Sequence, residues 1–221
     1  MDNAKLEKRS NLIEIIVVVL LGITAVATAW SSWQGALHGS QQDQKYTKAN
    51  HLNSEANSTY NEGMQNLNQD LMIWNQLMGL NIDLAFAEDK RDADEVEKLE
   101  YKIGQIMDDS VSEEFEAAIA WAGEQEEYAS PFDNEDFVNT YFEAAWDLYA
   151  ESEEMMAAGD ANNTHGDNQG LVSVIYAVVL FLLGITSSFK RLLPKYVLLA
   201  ASGIGFIIAT ILMFTIPIVL P

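Results

Sequence analysis

Glu14 is the side chain whose type and place most call for chemistry. It is the only charged residue inside a long apolar run of the chain, and a charge held in hydrocarbon is costly enough to mark a functional candidate by default. It stands about one helical turn inside its run, which leaves it two uses. The carboxylate can snorkel to the interface and pair with Arg9, Lys190 or Arg191, or it can face a shared axis as a pore or ion-coupling group. Asn11 lies one turn before it on a similar face. Thr24 and Thr28 continue the pore or ion-coupling candidates along the same run, and Ser173, Ser202 and Thr210 are the few polar positions available in the other two apolar runs.

Other chemistry is sparse. The chain has no cysteine and three histidines, His38, His51 and His165, too scattered for a recognisable ligand set. The motifs of zinc proteases, nucleophile elbows and phosphate loops are missing, so the reading is of a protein that is not an enzyme, with no catalytic residue, metal or cofactor. The stretch from Asp160 to Leu171 imitates a calcium loop, but glycine falls at position seven instead of six and Leu171 stands where a bidentate Glu is required. It reads as an ordinary hydrophilic loop. Asn57 and Asn162 head glycosylation sequons, which matter only in a host that glycosylates exported proteins.

The elements that must position these residues are three apolar segments. Leu171 to Phe189 carries no charge, nor does Tyr196 to Leu220; at ~1.5 Å per residue they reach ~28 and ~37 Å, enough for a hydrocarbon core of ~30 Å. Leu12 to Trp30 is the third, with Trp30 and Trp33 placed for an interfacial belt. A signal peptide is the competing reading of this first run. The run exceeds the usual apolar length of such peptides and is broken by Glu14, so it reads as a retained span.

Charge sets the orientation. Of 33 acidic residues, 30 lie between positions 32 and 169, while six of the twelve basic residues lie outside that range, at Lys5, Lys8, Arg9, Lys190, Arg191 and Lys195. Basic flanks mark the cytoplasmic side. The expected plan is a cytoplasmic N-terminus (1–10), a first transmembrane helix (11–31), an acidic extracytoplasmic helical domain (32–169), a second transmembrane helix (170–189), a cytoplasmic basic loop (190–195) and a third transmembrane helix (196–220). This is an all-α membrane protein of the plasma membrane, with a large acidic helical bundle inserted between helices 1 and 2. A surface this acidic repels nucleic acid and anionic headgroups, which excludes nucleic acid as a partner.

Within 32–169 no period-two pattern appears, so every element should be helical. The first helix should continue outward through Gln34 to Asn61, with a break at Gly35 or Gly39. Tyr60, Met64, Leu67, Leu71, Trp74 and Leu77 make one helical stripe that should run to about Glu88. Asp92 reads as a helix start, Ser110 with Glu113 as a capping box, and Pro131 as a stop. A last outer helix opens near residues 133–136 and runs to about Ala158, with 159–168 as a turn-rich connector. Trp74, Trp121 and Trp146 fall on apolar stripes and read as core.

The strings LLGITAVATAWSSWQ at Leu20–Gln34, GDNQGL at Gly166–Leu171 and VVLFLLGI at Val178–Ile185 resemble a group of uncharacterised prokaryotic three-span membrane proteins. The resemblance covers the membrane segments and implies topology alone, with no activity, ligand or site residue attached.

Small residues suggest how helices meet. Ala201, Gly205 and Ala209 recur every four residues in the third run, and Ala25 and Ala29 form a shorter stripe in the first; such stripes let helices approach closely in lipid. We expect them to form a helix-packing interface between chains, making a homo-oligomer. Two functions then compete. One is an extracytoplasmic interaction or structural domain that meets a protein partner; the other is an oligomeric cation-permeable channel or transporter with an acidic outer vestibule. Three helices per chain cannot enclose a water path alone, so the second requires the oligomer.

Overall fold

A computed structural model describes residues 2–220, with side chains from Lys8 to Leu220. All regular structure among the described residues is helical: α1 (Asp2–Lys90), α2 (Ala93–Ser110), α3 (Glu113–Gly123), a 3₁₀ turn (Pro131–Asp133), α4 (Glu135–Thr140), α5 (Glu143–Thr186) and α6 (Leu192–Thr215). Three of these, α1, α5 and α6, contain stretches long and apolar enough to cross a membrane. The chain divides into two compact units, one made of Met1–Lys48 with Glu154–Pro221, the other of Ala49–Glu153.

In the first unit α5 runs antiparallel to α1, since contacts step from Ser31–Gln169 through His38–Asn162 to Tyr46–Asp160 as one number rises and the other falls. α6 and the residues after it run parallel to α1, from Lys195 beside Glu14 to Val219 beside Gln34. Two apolar clusters fill the space between the helices. Ile13, Val17, Val179 and Leu183 form one; Val172, Tyr176, Ala209 and Ile216 form the other. Outward-facing residues on the same helices are large and apolar, among them Val18, Val26, Phe181 and Ile211, which is the surface that hydrocarbon requires.

Two expectations fail here for one reason. α1 passes Gly35 and Gly39 without a break, and α5 passes through 159–168, where the composition promised a hydrophilic connector. Gly35 and Gly166 lie opposite each other, so that a Cβ on either glycine would meet the other's helix at 3.5 to 3.6 Å. That close approach brings polar side chains of both helices together. Asn162 and Thr164 also return hydrogen bonds to the carbonyls of Ala158 and Asp160 one turn back. Packing therefore overrides the weak local preference for a turn.

The second unit is built on rings. Phe115, Ala118 and Phe137 are buried, with Trp74, Phe132 and Tyr141 packed against them. Phe115 stacks on Phe137 with centroids 5.6 Å apart. Gly63 of α1 packs directly on the carbonyl of Tyr141, an approach that only a residue without Cβ permits. α1 ends in a Schellman arrangement, with Asp92 N–H donating to Ala87 O and Arg91 N–H to Glu88 O. Arg91 takes the left-handed position at φ 58°, where glycine is the usual occupant.

Capping follows the sequence with one shift. Asp92 accepts from Glu95 N–H as expected, but the cap of α3 is Ser112, which accepts from Phe115 N–H, while Ser110 closes α2. Pro131 opens a 3₁₀ turn held by a reciprocal Ser130–Asp133 box. Asn134 caps α4, which stops at Thr140 before α5 begins at Glu143. Trp74 and Trp121 are half-buried; Trp146 is 47% exposed and is not core.

Candidate functional site

Glu14 is committed to a partner inside its own chain. Its Oε1 accepts from Lys195 Nζ at 2.8 Å, and Lys195 also donates to Ser10 Oγ at 3.0 Å. The partner is thus Lys195 in the first turns of α6, not Arg9, Lys190 or Arg191, because the parallel course of α6 sets that lysine beside Glu14. The lysine side chain is 4% exposed and that of the glutamate 51%. A buried ammonium needs such a carboxylate, since an unpaired charge in this setting is strongly unfavourable.

The other pore or ion-coupling candidates also turn inward. Thr24 is fully buried among the three helices, and Thr28 is half-buried with its hydroxyl donating to Thr24 O at 2.7 Å. Ser202 is 1% exposed. Ser173 lies against Ser32, and Thr210 against the Tyr176 hydroxyl and Phe206 O.

The small-residue stripes divide between inside and outside. Ala209 is buried in the cluster with Val172 and Tyr176, and a Cβ on Gly205 would meet Val179 Cγ2 at 2.9 Å, so both serve packing of α6 on α5 within one chain. Ala25, Ala29 and Ala201 are exposed on the bundle surface.

A polar cluster that the sequence did not suggest lies where α1, α5 and the last residues meet. Ser31 Oγ donates to the Gln169 carboxamide at 2.7 Å. The Gln34 side chain both donates to Val219 O and accepts from Val219 N–H, at 3.0 and 2.9 Å, as a peptide unit would. His38 Nε2 lies 3.0 Å from Pro217 O and its Nδ1 3.1 Å from Asn162 Oδ1. Ser31, Gln34, His38 and Gln169 are all under 2% exposed. The helix ends at Thr215 with Ile216 extended, and 217–220 have no regular structure; these side chains satisfy backbone groups there where no helix can.

His165 joins His38 with ring centroids 5.2 Å apart, so two of the scattered histidines do meet. His51 remains exposed and apart. No group of three metal-ligating side chains forms among the described residues. Two turns further, the Tyr46 hydroxyl donates to Asp160 Oδ1 at 2.5 Å, and that hydrogen bond to a carboxylate pushes the phenol up from its usual range. The only signal in the sequence for this cluster was the run of Gln, Ser and His at helical spacing, which a solvated face would share.

Of the two sequons, Asn162 faces His38 and Asn57 is tied to Asn53 and Tyr149. No protein-family model, curated protein or solved structure matches the chain.

Proposed function

We propose that the chain is a membrane-anchored interaction protein, whose three spans hold an acidic helical unit on the extracytoplasmic side of the plasma membrane, with the N-terminus cytoplasmic. The observation that carries this reading is an apolar stripe left open on an acidic helix. Met72, Ile82 and Phe86 of α1 are 67%, 55% and 63% exposed. Their spacing, with Gly79 between them, places them on one face. Asp83 and Asp89 flank the stripe, one on either side. Apolar side chains rimmed by one sign of charge suit a protein partner with an apolar centre and a basic rim.

The channel alternative draws less support, because Glu14, Thr24 and Thr28 are engaged or buried within one chain. Association between chains, if it uses the small residues, falls to Ala25, Ala29 and Ala201, the ones left on the surface.

Photo-reactive residues placed at Met72 and Phe86 in the full chain test the reading in cells. Covalent capture of one defined envelope protein, weakened by salt, is expected, and a probe at the exposed Glu100 is expected to capture none. Cysteine at Ser40 should react with an impermeant reagent from outside and cysteine at Ser188 should not; both positions are exposed. Cation flux through reconstituted liposomes above that of empty ones, abolished by Glu14→Gln, would reverse the choice in favour of the channel.

A further inference from the structure

The structure assigns a phospholipid-headgroup site to the crevice between α1 and α5 beside the Glu14–Lys195 pair, and we propose that its occupant is a lipid bearing both a phosphate and a primary amine. The crevice is about 280 Å³, at the small end of ligand pockets, which run from ~300 to ~1,000 Å³. That volume suits a headgroup and the first methylenes of a chain, not a whole lipid. Ile13, Val17 and Leu21 of α1 and Leu183 of α5 make its apolar wall, while Glu14, Ser187 and Lys195 make its polar rim. An apolar wall under a charged rim is the order in which a lipid presents its own chain and headgroup.

The rim carries unused capacity of both signs. Lys195 spends two N–H groups, on Ser10 Oγ and Glu14 Oε1, and an ammonium has three. Ser10 and Lys195 both converge on Oε1 of Glu14, so among the described residues Oε2 has no partner, and this side chain is half-exposed. A phosphate oxygen fits the third lysine N–H, the Ser187 hydroxyl being spent on Gly184 O at 3.1 Å. An ammonium on the same headgroup fits Oε2. Lys190 and Arg191 follow in the exposed turn after α5 and add positive potential at the mouth, as in basic interhelical pockets that hold lipid headgroups. A lipid with phosphate but no exposed amine makes only half of these contacts, which is the basis of selectivity.

Gly184 gives the site a clean handle. It lines the crevice, and a Cβ there would meet nothing within 4 Å, so Gly184→Leu starts its side chain from open space and takes up room in the crevice. The test uses the delipidated full chain in mild detergent, offered phosphatidylethanolamine, phosphatidylglycerol or phosphatidylcholine, with retained lipid counted by native mass spectrometry. We expect phosphatidylethanolamine to be retained at least tenfold better than phosphatidylcholine. Gly184→Leu should lower that retention tenfold at unchanged helicity, and Glu14→Gln should bring phosphatidylethanolamine down to the level of phosphatidylglycerol. Equal retention of the three lipids by the wild type overturns the proposal, as does undiminished retention by Gly184→Leu. Equal binding of glycerophosphoethanolamine, which has no acyl chain, would overturn the role given to the apolar wall.

Discussion

In the unit Ala49–Glu153 the interior is built on packed rings, Phe115, Phe132 and Phe137. In the unit containing the apolar helices the buried set includes Ser31, Gln34, His38, Gln169 and Lys195, each hydrogen-bonded to another segment of the unit. The contrast follows from the solvent each unit suits. In water, removing apolar area from solvent drives packing at ~25 cal/mol per Å². In lipid that drive is absent between helices, so small residues and interhelical hydrogen bonds carry the contact. The acidic unit is held by what it hides, and the three-helix unit by what it pairs.

The comparison is sharpest at Phe115, which is fully buried against the rings of Phe132 and Phe137. Phe115→Ala should cost the acidic unit ~3–5 kcal/mol, read as an early transition in urea followed by circular dichroism, with the apolar helices retained. Gly63→Ala drives a methyl group into the Tyr141 carbonyl and should cost ~1–3 kcal/mol in the same transition. Loss of the late transition instead of the early one would break the assignment of these residues to a separately stabilised unit.

Gln34→Leu removes both hydrogen bonds to Val219. Between membrane helices such bonds average ~0.6 kcal/mol, so the expected result is a small loss of stability with a larger gain in proteolysis of the last residues. A loss as large as that of Phe115→Ala would mean that the two units are stabilised alike. Arg91→Gly relieves the left-handed residue at the end of α1 and should stabilise the acidic unit by ~1 kcal/mol.

The smallest effect is electrostatic. Tyr141 is held neutral by burial and by its 2.5 Å hydrogen bond to Asp70, which push its phenol well above the usual range. A phenol raised in the folded state contributes stability below its unfolded pKa of ~10 and loses it as pH climbs beyond that value. The wild type should therefore lose more stability than Tyr141→Phe between pH 10 and the onset of general alkaline unfolding, ~1 kcal/mol or less. Tyr46, raised chiefly by its hydrogen bond to Asp160 with burial a smaller cause, should show a smaller difference in Tyr46→Phe.

Much of this was legible in the residues themselves. The three apolar runs, the absence of strand periodicity, the helix start after Asp92 and the helix running from Tyr60 to near Glu88 all rest on local pattern, and the fold contains them. Even the misplaced cap of α3 missed by two residues, because Ser110 and Ser112 offer the same hydroxyl to the same turn.

What the sequence by itself determined is therefore the helical type of the elements and the length of the apolar runs, since hydrophobic period, caps and run length are properties of neighbouring residues. Only the tertiary structure decided that Glu14 pairs with Lys195, 181 positions away, that Gly205 and Ala209 face α5, and that 159–168 stays helical. Each of these depends on which face another helix presents at a given level, and helix propensities, at under ~1 kcal/mol per residue, are too weak to resist that contact.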